Sequence, residues 1–455
     1  MTTGVSSEAG VLEAYETDAS GLYLRPDRVA RPGATEDVIE LLEQAAAEHT
    51  PITCAGAQTS TTGASITDRG TLLSLRSLNW ISDLDENART IRVGPGALVG
   101  DIKRAAAEAG LLFAPDPTSE EESTIGGAIA CNASGARTYM YGPTRKHVNV
   151  LRVVLANGKL AEFRRSGLEK NTVGYAFAHD PIDWFIGSEG TLGVIVEAEL
   201  SLLPLPHHVI GLALPFRTEV EALKFVVAAR ESNAVSPRCI EYFDAMALEI
   251  ARAADSKTTW ADDIVAMVYV EEEITGEMDM SLANWLALIE MIAPYSEPLV
   301  FDGEARLREA RRIRHSIPAT MNERGSKHRQ TGGRKVSTDW AVPYRKLGEA
   351  IAMARLIVDS SGIGRSVIYG HAGNGHPHQN FIARDDSELA TIEEVIERIL
   401  RNIVALGGTV AAEHGIGKIK RRWLPLQMNP LQISMMMAVK KELDPHWILA
   451  PGNIF

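Results

Sequence analysis

An α+β fold in two domains is the architecture this chain predicts, and three observations carry it. Short apolar runs of strand character alternate with helical segments from Arg31 onward. Pro204-Leu205-Pro206 then breaks the pattern, because proline removes a ladder donor and fixes φ. At 455 residues the chain is also too long for one core, and about 150 residues per domain gives two or three.

In order, Thr35-Glu36-Asp37 opens an apolar-periodic helix to about Ala47, and Pro51-Ile52-Thr53 begins a short strand ending at Gly56. Strand-like runs follow at Thr71 to Leu75, Thr90 to Val93, Leu151 to Ala156 and Val194 to Leu203, with a helix at Leu98 to Ala109. A second domain starts near His207. It reads as strand (Val209 to Leu214), helix (Val220 to Glu231), strand (Ile264 to Val270) and helix (Ser281 to Ala293). Helices at Arg306 to Asn322 and Tyr344 to Ser360, a strand at Val367 and a helix from Glu388 to Leu406 complete it. Helices covering one face of an antiparallel sheet suit this order. No internal repeat is present, which removes solenoids.

Composition excludes several classes. A net charge of −13 and a pI near 5.5 disfavour nucleic acid, whose phosphates need a positive surface. Cys54, Cys131 and Cys239 are too few for a four-cysteine iron–sulfur cluster, so any further electron carrier sits on another chain. Met1 to Glu16 lacks the basic start and apolar core of a secretory signal. No apolar run reaches the roughly 18 residues of a membrane span. The expectation is a cytoplasmic protein with no transmembrane segment; peripheral attachment to a membrane stays open.

Three loops are rich in glycine and small hydroxylated residues: Gly56-Ala-Gln-Thr-Ser60, Thr124-Ile-Gly-Gly127 through Asn132-Ala-Ser-Gly135, and Gly187-Ser-Glu-Gly-Thr-Leu-Gly193. Small residues let backbone N–H groups approach a phosphate. Three such loops in one domain, each beside a predicted strand, point to a long dinucleotide. The GxGxxG fingerprint of the Rossmann fold is absent, which disfavours a nicotinamide enzyme of that type.

The second chemical signal is Gly370-His-Ala-Gly-Asn-Gly-His-Pro-His378, followed downstream by Glu413-His414-Gly415. Imidazoles and a carboxylate suit Zn2+, and Mn2+ or Fe2+ accept the same set. His371 and His378 converge only if Gly373 and Gly375 let the backbone fold back.

These motifs carry a resemblance. Gly56-Ala-Gln-Thr-Ser60, Pro115-Asp-Pro-Thr-Ser119, Thr124-Ile-Gly-Gly127, Asn132-Ala-Ser-Gly135, Tyr141-Gly142 and Gly187-Ser-Glu-Gly-Thr-Leu-Gly193 resemble the FAD-binding domain of the vanillyl-alcohol oxidase (PCMH-type) flavoproteins. The remainder resembles the D-lactate dehydrogenase, glycolate oxidase FAD subunit and D-2-hydroxyglutarate dehydrogenase branch. It does so through GHAGNGHPH, Gly407-Gly-Thr-Val-Ala-Ala-Glu-His-Gly-Ile-Gly417 and Leu443-Asp-Pro-His-Trp-Ile-Leu-Ala-Pro-Gly452. The implied architecture is a two-subdomain PCMH-type FAD domain over residues 26–206, an α+β substrate or cap domain over 207–419, and a C-terminal segment, 420–455, packing back on the FAD domain.

The resemblance further implies FAD held by Gly56, Ala57, Gln58, Thr59, Ser60, Pro115, Asp116, Thr118, Thr124, Gly126, Gly127, Asn132, Ser134, Gly135, Tyr141, Glu189, Gly190, Gly193 and Ile195. No histidine stands at Gln58-Thr59 for a covalent link, so the FAD is expected to be noncovalent. His371, His378 and Glu413 would hold the metal and His414 would act as base, while Arg314 and Lys335 would bind the substrate carboxylate. The reaction implied is oxidation of a 2-hydroxy acid, D-lactate or a related D-acid, by hydride transfer to flavin. Three departures stand out: Asn374 where the branch commonly has Asp, His376 where it has Asn, and Pro318 where Thr often follows the Arg. The alternatives are a metal-free FAD alcohol or sugar oxidase using O2, and a non-redox flavin transferase of the alkylglycerone-phosphate synthase type. The electron acceptor (quinone, cytochrome, electron-transferring flavoprotein or O2) and a homodimeric state are left open.

Overall fold

The computed structural model describes residues 4–254, 261 and 263–455. They divide into two compact units. One comprises Met1–Gly135, Gly142–Leu205 and Glu413–Phe455, the other Ala136–Tyr141 and Pro206–Ala412.

The first unit holds two four-stranded sheets. In one, Arg28–Arg31, Thr71–Ser74 and Ile52–Ala55 run parallel, with Gly4–Ser6 antiparallel at the edge. The helix Thr35–Glu48 packs its Val38, Leu41, Leu42 and Ala45 against this core, the i, i+3, i+4 spacing of an amphipathic face. It starts where Asp37 accepts the N–H groups of Gly33 and Ala34, and it stops at His49 in the left-handed region. The second sheet is antiparallel, ordered Thr90–Val93, Val194–Ser201, Val148–Val154 and Leu160–Arg164. Its apolar face joins the helices Val99–Glu108 and Ile125–Cys131 in one core.

The C-terminal residues belong to this same unit. Helix Pro430–Leu443 begins with an Asn429/Gln432 capping box, and the Ile52 N–H donates to the Ile448 carbonyl at 2.7 Å. Near the helix end the buried Lys440 ammonium donates to the carbonyls of Thr191 and Leu449 and to Asp444.

The second unit is built on one seven-stranded antiparallel sheet. Its order is Leu299–Asp302, Val209–Phe216, Ala266–Glu273, Pro237–Phe243, Val367–His371, His376–Asp385 and Gly332–Ser337. Helices cover both faces, not the single face the sequence suggested. Ala245–Ala254 and Glu304–Ser326 share a core with Met267, Tyr269 and Tyr369 on one side. On the other, Phe225 of helix Glu219–Glu231 meets Phe216, and Trp285 of helix Met278–Glu290 donates to Glu272. Charged residues buried within the strands account for the miss, because they obscure the apolar run by which a two-sided strand is recognised. Pro237-Arg-Cys-Ile-Glu-Tyr-Phe243 is buried at every position yet carries Arg238 and Glu241.

Candidate functional site

In the first unit the glycine loops meet around the helix Ile125–Cys131. Thr124 caps that helix, its hydroxyl accepting from the Gly127 N–H. A Cβ at Gly56 would overlap Thr124 Oγ1, one at Gly126 would lie 2.7 Å from Pro95 Cβ, and one at Gly135 would overlap the Asp116 carbonyl. These glycines therefore bring the loops against one another. Gly127 differs, for its added Cβ would meet nothing within 4 Å but Thr124 Oγ1, which leaves backbone open to a ligand. The third loop is tied in by Gly187 N–H to Ile129 O and Glu189 N–H to Ala130 O. Of the remaining residues expected at FAD, Gln58 spends its side-chain amide on the carbonyls of Tyr15 and Thr17. Asn132 accepts from the Arg145 N–H, and Ile195 is buried in its strand. Tyr141 belongs to the second unit, with its hydroxyl on Glu273.

Glu189 sits at φ 52°, left-handed backbone that disfavours a side chain like glutamate. Its carboxylate accepts the N–H of Ile416 at 2.6 Å and of Gly417 at 2.7 Å. Burial raises its pKa, against those two hydrogen bonds and the charges of Lys420 and Lys418. The carboxylate thus grips the turn that follows Glu413 and His414, whose own side chains lie 3.5 Å apart (His414 Nε2 to Glu413 Oε1). Gly415, φ +75°, passes so close that a Cβ there would come 2.5 Å from Glu189 Oε1.

In the second unit the strands Val367–His371 and His376–Asp385 form a hairpin pairing His371 with His376 and Tyr369 with His378. Gly375, φ +68°, makes the turn beneath the Val342 carbonyl, so the fold-back expected of the glycines is present. Side chains at alternate positions share a face, and here that brings three imidazoles together. Ring centroids are 5.4 Å (His371–His376), 5.2 Å (His371–His378) and 4.8 Å (His376–His378) apart, and all three rings are buried. His376, one of the three histidines of the GHAGNGHPH motif but not among the expected ligands, is thus the third member; its Nε2 lies 3.0 Å from Asp339 Oδ1. The His371 and His376 ring nitrogens come within 4.8 Å of each other, as do donor atoms of His378 and Asp339. The donors thus fall into two sets, His371 with His376 and His378 with Asp339, built of the imidazole and carboxylate groups that a borderline divalent ion takes.

His371 is fixed from behind. Its Nδ1 lies 2.6 Å from Glu241 Oε1, while Glu241 Oε2 accepts from Arg314 Nε at 3.0 Å. Burial alone would raise the Glu241 pKa, but His371 and Arg314 outweigh it and hold the carboxyl at about 2. Arg314, expected at the substrate, therefore commits Nε to this strut. Next along the same face, Glu271 accepts from Arg137 and Arg238. Those charges and Arg311 overcome its burial and keep it at about 2 as well. Lys335 stands on the strand Gly332–Ser337 opposite Ile382, its ammonium 2.7 Å from Asn322 Oδ1 and lowered by burial to about 8.

Residues 205–454 match the model described as FAD linked oxidases, C-terminal domain, and residues 26–164 match the FAD binding domain model. The chain belongs to the FAD-linked oxidase family. It is 30% identical to the glycolate oxidase subunit GlcD of Bacillus subtilis over 99% of its length and 93% of that protein's. It is 31% identical to a D-2-hydroxyglutarate dehydrogenase of Xanthomonas citri over 99% of this chain and 94% of that one. A D-lactate dehydrogenase of Archaeoglobus fulgidus is 28% identical over 97% and 95%. A solved structure of an alkyldihydroxyacetonephosphate synthase superposes with a TM-score of 0.74 at 18% identity, covering 99% of this chain and 82% of its own. That last likeness shows the fold alone.

As a member of the FAD-linked oxidases the protein is an FAD-dependent oxidoreductase with a PCMH-type fold. Gly127, with its backbone open at the start of Ile125–Cys131, fits the approach of a cofactor phosphate. Among the described residues no helix is long and apolar enough to cross a membrane. Sequence reasoning missed Glu241, Asp339 and the grouping of His376 with His378. The alternation of His376 and His378 was the available signal, whereas Glu241 and Asp339 lie far along the chain and had none.

Proposed function

We propose that the protein oxidises a 2-hydroxy acid, D-lactate or a related D-acid, to the 2-oxo acid with FAD and a divalent metal, Zn2+ in the first instance. The three-histidine cluster with its Glu241 brace carries this reading, because redox chemistry on flavin alone needs no buried group of imidazoles. Relatives named for glycolate, D-lactate and D-2-hydroxyglutarate support the substrate class. FAD when bound supplies the hydride acceptor. The metal would supply Lewis acidity toward the hydroxyl and carboxylate, worth several kcal/mol in a dry site.

The chain's own residues have distinct tasks in this scheme. His371 and His378 supply ligand nitrogens, with His376 beside them. Glu413, the residue after Ala412, would supply the carboxylate. His414 Nε2 accepts the hydroxyl proton as the hydride leaves C2. Lys335 and the terminal N–H groups of Arg314 bind the carboxylate. Tightly bound FAD without a covalent link, released by denaturation, completes the picture.

The test is turnover of D-lactate with an artificial dye acceptor before and after dialysis against a chelator. Loss of turnover with FAD retained, and return on adding Zn2+ or Mn2+, is the expected result. Turnover indifferent to the chelator would favour the metal-free oxidase.

A further inference from the structure

We infer that Glu241 is a positioning residue that sets which nitrogen of His371 faces the ion, an inference that rests on the metal-assisted reading above. Glu241 lies on the strand Pro237–Phe243, whose next residue, Tyr242, pairs with Gly370 beside His371. Both side chains are sealed from solvent, at 2% exposure for Glu241 and 3% for His371. The Nδ1 to Oε1 distance of 2.6 Å makes Nδ1 the proton-bearing nitrogen, since a carboxylate only accepts. Nε2 then carries the lone pair, the form in which an imidazole binds an ion, and the carboxylate sets the orientation of the ring.

The brace has a second part. Arg314 Nε holds the other carboxylate oxygen at 3.0 Å, so the carboxylate plane is fixed from the helix Glu304–Ser326 while it fixes the ring from the sheet. A buried ion pair contributes little to stability compared with apolar residues of the same volume. Its value at this place is orientation. The arrangement also commits Arg314 Nε to the protein.

The experiment is Zn2+ affinity of the purified, FAD-loaded protein, read by competition with a chromophoric chelator. It compares wild type, Glu241→Gln, the Glu241→Gln/Arg314→Met double variant and, as a reference for loss of a ligand, His371→Ala. Affinity should fall about 10–100-fold in both Glu241 variants, with FAD content equal to wild type. The double variant removes both buried charges together and keeps the test readable where Glu241→Gln folds poorly. A purely structural Glu241 would lower the unfolding temperature and leave the Zn2+ affinity of folded protein unchanged; that result overturns the inference. A wild type that takes up no Zn2+ overturns the metal-assisted reading itself, which separates the two failures.

Discussion

Replacing Glu189 by glutamine separates two roles for a residue that sequence placed at the flavin. Its carboxylate accepts from Ile416 N at 2.6 Å and Gly417 N at 2.7 Å, and hydrogen bonds to a charged group contribute about 1.5–3 kcal/mol each. Glutamine keeps one acceptor and turns an NH2 toward the other N–H. One bond is lost and a buried donor is left without an acceptor, together about 2–4 kcal/mol. Relief from burying a charge, whose cost is apparent in the raised pKa of Glu189, offsets part of this. A net loss of about 2 kcal/mol remains, or an unfolding temperature lower by about 4–8 °C at 2–4 °C per kcal/mol. Differential scanning calorimetry beside the flavin absorbance of the protein fraction measures both quantities. FAD occupancy should match wild type at 20 °C, because both carboxylate oxygens are engaged by backbone, while turnover falls with the loosened Glu413–His414 turn. Loss of FAD without loss of thermal stability would refute the reasoning and return Glu189 to the flavin.

Other expectations follow from the second unit. Burial holds Lys335 at about 8, so its charge is present below that pH and lost above it. The KM for the acid should climb above pH 8 in wild type, and Lys335→Met should raise KM at pH 7 by about 10-fold or more and flatten the climb; an unaltered KM would remove Lys335 from the substrate site. The folded pKa is below that of the unfolded chain, so the linkage sign makes stability rise with pH between about 8 and 10.5, a slope Lys335→Met should abolish. Glu271, held at about 2 against a usual 4.5, favours the fold above pH 4.5. That contribution fades as pH falls toward 2, so Glu271→Gln should be less stable at pH 7 and show a shallower acid transition by circular dichroism. Gly375→Ala combines left-handed backbone, about 1–2 kcal/mol, with a Cβ overlapping the Val342 carbonyl. It should lower both the unfolding temperature and Zn2+ uptake, and wild-type values for both would show that the turn is not needed.

Where sequence was legible, local chemistry decided the structure. The helix Thr35–Glu48 announces itself by Asp37 at its first turn and by apolar spacing, and Thr90–Val93 by alternation. Of the glycine-rich stretches read as loops, Thr124 to Gly135 instead holds the helix Ile125–Cys131, and the reason for several glycines proved to be close packing between segments, as with Gly56 on Thr124. The buried polar face of the second sheet was not legible. Glu241, Glu271, Arg238 and, on the helix Glu304–Ser326, Arg311 and Arg314 satisfy one another across long sequence separations, and a charged residue in a strand reads as exposed until its partner is known. For the same reason Arg308, Arg311 and Arg314 could not be told apart on periodicity, although Arg308 reaches only Glu304 at the exposed start of the helix while Arg314 reaches the buried Glu241.

Anaerobic titration of the FAD-loaded protein with paired D- and L-2-hydroxy acids, followed by flavin absorbance near 450 nm, tests the central claim most directly. The account expects bleaching by a D-acid and not its L-enantiomer, lost after chelation and restored by Zn2+ or Mn2+. Bleaching that ignores chelation would contradict the metal-assisted part, and no bleaching by any hydroxy acid would contradict the substrate class.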